Sequence, residues 1–122
     1  MQKIKKDMFD FLKNIFGGNS QYTSLEAEEF KNAIRETPKS MIIDVRSRNE
    51  FDDEKIPHAM NIDIMNPNFN NKLAKFDKDK TYFVYCQRGG RSARACKRMV
   101  KLGFEKVYNL KGGINAYTGR TV

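Results

Sequence analysis

Apolar positions along this chain fall into two alternating rhythms. Short runs rich in β-branched and aromatic residues are followed by stretches with helical spacing. Met41 to Val45 (MIIDV), Thr81 to Tyr85 (TYFVY) and Lys106 to Leu110 (KVYNL) read as strands, and Ala59 to Ile64 as a further short one. TYFVY is apolar at every second position on either side, so it predicts a central strand buried on both faces. Thr23-x-x-Glu26 has the spacing of a capping box and predicts a helix that buries Leu25, Phe30 and Ile34 before Pro38. Ser47-x-x-Glu50 predicts a second helix start with a single turn through Phe51. Asn66 to Asn71 is turn-rich and leads into a brief helix near Leu73 and Phe76. Arg91 to Leu102 predicts a helix closed by Gly103, and Gly112-Gly113 precedes a last turn from Ile114 to Tyr117. Strands alternating with helices give an α/β class: one small, mainly parallel sheet with helices on both faces, spanning Tyr22 to Gly119.

Residues 1–18 stand apart. Ile4, Met8, Leu12 and Ile15 recur at helical spacing and Gly17-Gly18 supplies a C-cap, which predicts an amphipathic helix joined by Asn19, Ser20 and Gln21. Such a stripe packs on its own domain or on a neighbouring subunit. A membrane-surface anchor is the alternative, weakened by Asp7 and Asp10 among the basic residues.

Composition narrows the class. The 122 residues are 39% hydrophobic and 31% charged, which supports a folded core and suits one domain. No apolar run reaches the roughly 20 residues that cross a bilayer. Asp7, Asp10 and Lys13 interrupt any secretory signal, so the expectation is a soluble, cytoplasmic protein. Cys86 and Cys96 with the lone His58 cannot assemble a Cys/His zinc site, and no metal is expected. The formal charge of +8 favours an anionic substrate or partner. No nucleic-acid-binding motif accompanies that charge, so no nucleic acid is expected.

Cys86-Gln87-Arg88-Gly89-Gly90-Arg91-Ser92 carries the chemistry. A strand delivers a thiol into a glycine-containing loop that runs straight into a helix. Gly89 and Gly90 let successive N–H groups converge, and the helix behind adds unpaired donors and the positive end of its dipole. Such a cradle binds an anion, and Arg88 and Arg91 reinforce it. The same surroundings favour thiolate over thiol, which makes Cys86 a nucleophile with its own anion pocket. Cys96 belongs to the stripe Ser92, Ala95, Cys96, Met99 and Leu102. It reads as a core residue, with a resolving-thiol role requiring the helix to open. Arg91, Arg94, Lys97, Arg98 and Lys101 form the other face, which can attract an anionic substrate or an acidic partner protein. His58 reads as a loop residue after Pro57, with nothing in the sequence to place it beside Cys86 as a catalytic dyad.

Four stretches in order resemble the single-domain rhodaneses, the thiosulfate sulfurtransferase family. They are Ile43-Asp44-Val45-Arg46 with Glu50-Phe51, Ile56 to Ile62, Cys86 to Ser92, and Tyr108-Asn109-Leu110-Lys111-Gly112-Gly113-Ile114. The resemblance covers about Tyr22 to Gly119 and implies a three-layer sandwich. It also implies a persulfide mechanism: Cys86 takes the outer sulfur of a small anionic donor such as thiosulfate and passes it to cyanide or a protein thiol. Residues Gln87 to Ser92 would cradle the persulfide, with Arg88 and Arg91 facing the donor's charge. Asp44 and Arg46 would brace the loop or core by ion pairing. No cofactor is implied beyond the sulfur on Cys86. The alternative is an interaction or sulfur-relay module with little small-molecule turnover.

The chain departs from the family pattern where Glu54 and Lys55 replace Gly-His and where His58 replaces the Gly after Ile-Pro. Tyr117 stands where a Trp is frequent. Cysteine phosphatases and arsenate reductases of related architecture place an arginine six positions after the nucleophile, whereas Arg91 follows Cys86 by five. The shorter loop predicts a cradle sized for sulfur and too small for tetrahedral phosphate.

Overall fold

The computed structural model describes residues 21–122, and the helix expected over 1–18 lies outside them. Five strands form one sheet: β1 (Thr23–Leu25), β2 (Met41–Asp44), β3 (Met60–Asn61), β4 (Thr81–Tyr85) and β5 (Lys106–Leu110). The order is β1-β5-β4-β2-β3 and every pairing is parallel. Among the described residues four helices connect them, α1 (Ala27–Glu36), α2 (Arg48–Asp53), α3 (Phe69–Leu73) and α4 (Gly90–Lys101), and α5 (Gly113–Ala116) follows β5.

Alternation along β4 explains the layers. Tyr82, Val84 and then Cys86 join the core on one side, with Leu73 from α3 and Ala95, Cys96 and Met99 from α4. Phe83 and Tyr85 join the opposite core, with Phe30 and Ala33 of α1 and Ile114 of α5. A strand covered on both faces must be apolar at every position, which is what TYFVY supplies. Cys96 is fully buried in the first cluster. Burial and the nearby Cys86 push its thiol well above the usual range, so it stays an inert core group.

Three local expectations need correction. Thr23 to Leu25 is a strand rather than a helix start, because it pairs with Tyr108 to Leu110 across 85 positions of sequence. The helix begins one turn later with Glu26 as N-cap, whose backbone N–H donates to Glu29 Oε1 at 3.3 Å and whose side chain accepts from the Glu29 N–H. The helix near Leu73 ends there. Phe76 lies beyond it and stacks on Tyr82 with ring centroids 6.2 Å apart. The helix after Ser47 runs on to Asp53, its capping box closed by Ser47 and Glu50.

Chain order places the site. From β2 the chain moves outward to β3, and from β4 it moves the other way to β5. The carboxyl ends of β2 and β4 therefore open a crevice between their departing loops, the place where such sheets bind ligands. Among the described residues no helix is long and apolar enough to cross a membrane.

His58, at the position where the family pattern has glycine, adopts φ +70° and is exposed. A side chain in the left-handed region costs about 1–2 kcal/mol, offset by the about 0.5–1 kcal/mol that glycine loses in backbone entropy. His58→Gly should therefore stabilise the fold by about 0.5–1 kcal/mol, a rise of several degrees in the thermal midpoint. A lowered midpoint would show that the imidazole makes up for its own backbone strain.

Candidate active site

Cys86 is the first residue past β4, on the face that packs against α4. Its Sγ accepts from the Gly89 N–H at 3.1 Å, the Ser92 N–H at 3.3 Å and the Ser92 hydroxyl at 3.3 Å. Gly89 turns the chain with φ +111°, a conformation that a side chain would strain. Gly90 needs no such freedom: its φ is not positive, and a Cβ there would meet open space. One glycine does the turning. The other opens the first turn of α4.

Burial works against ionisation of Cys86. The Ser92 hydroxyl and the N–H groups of Ser92, Gly89 and Arg88 outweigh it, so the thiol sits below its ordinary value. The Ser92 hydroxyl also lies 3.2 Å from the Gly89 carbonyl. Its single proton serves one acceptor at a time, and an ionised sulfur is the stronger one. Although Cys86 as a residue is 1% exposed, it lines an open depression of about 480 Å³ with Gln87, Arg88, Gly90, Arg91 and Arg94.

The loop is held from both flanks. On one, Asp44 and Arg46 form a buried ion pair at 2.7 Å, with 0% and 2% of their side chains exposed. Arg46 donates onward from Nη1 to Gln87 Oε1 at 2.9 Å. Asp44 also accepts from the Arg46 N–H, so the pair fixes backbone as well as side chains. Removing one member of such a buried pair costs about 3–5 kcal/mol by stranding the other charge. On the other flank, the Ile114 N–H donates to the Cys86 carbonyl and the Asn115 N–H to the Gln87 carbonyl. A Cβ on Gly113 would lie 2.3 Å from the Gln87 carbonyl group, so only glycine permits this approach. The Gln87 side chain completes the bridge with a hydrogen bond to Asn115 Oδ1.

Arg91 lines the depression, yet its guanidinium is bound to Glu50 through two hydrogen bonds of 2.8 and 2.9 Å. Those bonds, helped by Ser47 and opposed by burial, push the Glu50 carboxyl down from 4.5 to about 2. A carboxyl lowered on folding stabilises the fold above its unfolded value. The Glu50–Arg91 contribution is therefore complete above pH 4.5 and is lost as pH falls through about 2. Arg88 is exposed and forms no ion pair among the described residues, so its charge is free to meet an anion. Glu50 was legible in the sequence as a helix cap and as part of the family pattern, with no role at the site assigned to it. Nothing local ties it to an arginine 41 positions away. Asn115 likewise had no signal beyond following Gly112-Gly113.

The family model described as the rhodanese-like domain matches residues 26–120. The chain belongs to the rhodanese-like family. YqhL of Bacillus subtilis is 36% identical over 97 residues, covering 80% of this chain and 73% of its own. A sulfurtransferase of Allochromatium vinosum is 27% identical over 93 residues, covering 76% and 85%. The crystal structure of a rhodanese-like domain protein from Staphylococcus aureus is 28% identical, with a TM-score of 0.70 over 80% of this chain and 93% of that one. The rhodanese-like fold seen here is thus shared with relatives that are named sulfurtransferases.

Ser92→Ala removes one of the donors that favour thiolate while leaving the Ser92 N–H in place. Alkylation of Cys86 near neutral pH should slow on the order of tenfold, with the rate-against-pH curve displaced upward. An unmoved curve would show that backbone donors alone set the ionisation.

Proposed function

We propose that this rhodanese-like protein moves sulfane sulfur from a small anionic donor such as thiosulfate to a thiophilic acceptor in the cytoplasm, through a persulfide on Cys86. The convergence of Gly89 and Ser92 donors on Cys86 Sγ is the observation that carries this reading. In the first half, the thiolate attacks the outer sulfur of thiosulfate. The S–S bond of the donor breaks, sulfite leaves with its electron pair, and Cys86–S–S⁻ remains. In the second half, cyanide or a thiolate attacks that outer sulfur and Cys86 Sγ leaves as thiolate. A sulfur whose pKa is lowered is the better leaving group, so the same donors assist both halves.

Gln87 to Ser92 supply the cradle for the added sulfur. Arg88 attracts the donor, while Arg91 shapes the rim through its hold on Glu50. Asp44 and Arg46 keep Gln87, and with it the loop, in position. No cofactor enters beyond the sulfur itself. A second reading, a relay module that discharges onto a protein thiol, draws support from the exposed cations beside the depression.

Treatment with thiosulfate should raise the intact mass by one sulfur atom, a gain reversed by cyanide or dithiothreitol and absent in Cys86→Ser. No gain with any of several sulfur donors, while Cys86 remains alkylatable, would remove the persulfide from the account.

A further inference from the structure

The outward side of α4 carries more charge than chemistry at Cys86 uses. Arg88, Arg94, Lys97 and Lys101 are all exposed, and among the described residues none lies within ion-pair distance of a carboxylate. Arg91, bound to Glu50, is the exception on this helix. No acidic residue occurs between Cys86 and Phe104 to break the run. Arg88 and Arg94 line the depression at the sulfur, and Lys97 and Lys101 lie outside it. At 1.5 Å per residue the strip runs about 10 Å along the helix from Arg94 to Lys101.

A small donor anion bound beside Cys86 does not reach the far end of that strip. Like charges spaced three and four apart destabilise a helix by a few tenths of a kcal/mol each, a cost that the helix dipole offsets at Lys101 in the last turn and not at Arg94. An extended anion recovers it. Nucleic acid suits the strip less well than protein. Phe69, the ring beneath Arg98 of the same helix, is 1% exposed and offers no face for a base to stack on.

We propose that α4 is the docking surface for an acidic protein segment whose cysteine receives the sulfur carried by Cys86. This rests on the sulfur-transfer reading above. The segment's carboxylates lie along Arg94, Lys97 and Lys101, which brings its thiolate to the depression. That thiolate attacks the outer sulfur of Cys86–S–S⁻ and forms a new S–S bond. The Cys86 S–S bond breaks, its electron pair returns to Sγ, and the segment leaves as a persulfide, with no outside oxidant or reductant.

The test uses the full chain and three synthetic peptides, each with one cysteine set among glutamates, serines or lysines. The protein is loaded with thiosulfate, the persulfide is counted by intact mass, and transfer to each peptide is timed. At equal thiolate concentration the glutamate peptide should react at least about tenfold faster than the serine peptide, an advantage that fades near 0.5 M salt. Lys97→Glu with Lys101→Glu should abolish the advantage and leave thiocyanate formation from cyanide unchanged. Lys39→Glu with Lys80→Glu makes the same change in net charge at exposed positions before β2 and β4, the opposite end of the sheet, and should preserve it. Lys97→Gln with Lys101→Gln should lose part of it, which keeps the result readable should the glutamates loosen the helix. Equal rates for all three peptides, or equal losses in the two charge-reversal variants, would overturn the proposal. A cysteine-free glutamate peptide followed by fluorescence anisotropy gives an independent reading. Binding that depends on Lys97 and Lys101 without any persulfide loading would overturn the sulfur chemistry and spare the surface. Loading without preferential binding or transfer would overturn the surface alone, as would a single-stranded oligonucleotide that displaces the peptide from α4.

Discussion

A buried sulfur whose ionised form is favoured by hydrogen-bond donors is the constraint around which this protein is arranged. Cys86 is packed at a strand end, where burial opposes ionisation, and the opposing force comes from hydrogen-bond donors of its own loop. Backbone N–H groups suit that task because they are fixed in direction and cannot be lost by titration. They work only while the loop keeps its curvature. The surroundings of the loop therefore matter as much as the loop itself.

Curvature is enforced from two directions, each using atoms far away in sequence. The Asp44–Arg46 pair reaches Gln87 from the end of β2, and the first residues of α5 grip the Cys86 and Gln87 carbonyls from beyond β5. Both anchors sit at carboxyl ends of strands that flank β4. The parallel sheet is thus part of the chemistry: it fixes three departing loops at one edge, and each contributes a different restraint. A change of glycine at position 113 would be felt at the sulfur without touching it, because the extra carbon would displace the Gln87 peptide.

How much of this was legible in the sequence depends on how local the signal was. The central strand, the helix after the cysteine and the buried stripe through Cys96 follow from side-chain period alone, and the structure keeps all three. Thr23 to Leu25 misled because its capping-box spacing is local while its pairing with β5 is not. Three residues carry too little pattern to outweigh a helix signal. At the site, convergence of the loop on Cys86 was readable from strand, glycine and helix in succession. The partner of Arg91 was not, since side-chain pairing across a crevice leaves no periodic trace. Gly90 was credited with a turning role that Gly89 performs by itself.

The Glu50–Arg91 pair shows why cations at this site cannot be treated as equivalent. A guanidinium gripped at both edges by a carboxylate contributes little net field to the depression. It joins the first turn of α4 to α2 and so ties the positions of Gly90 to Ser92 to the β2 side of the crevice. Anion affinity is then left to Arg88 and Arg94, whose side chains are exposed and screened by solvent. Weak, screened attraction lets a small anion enter the depression and leave it again. A tightly held anion would instead block access to Cys86. Locking one arginine into the scaffold while leaving its neighbours loose separates rigidity of the loop from affinity of the pocket.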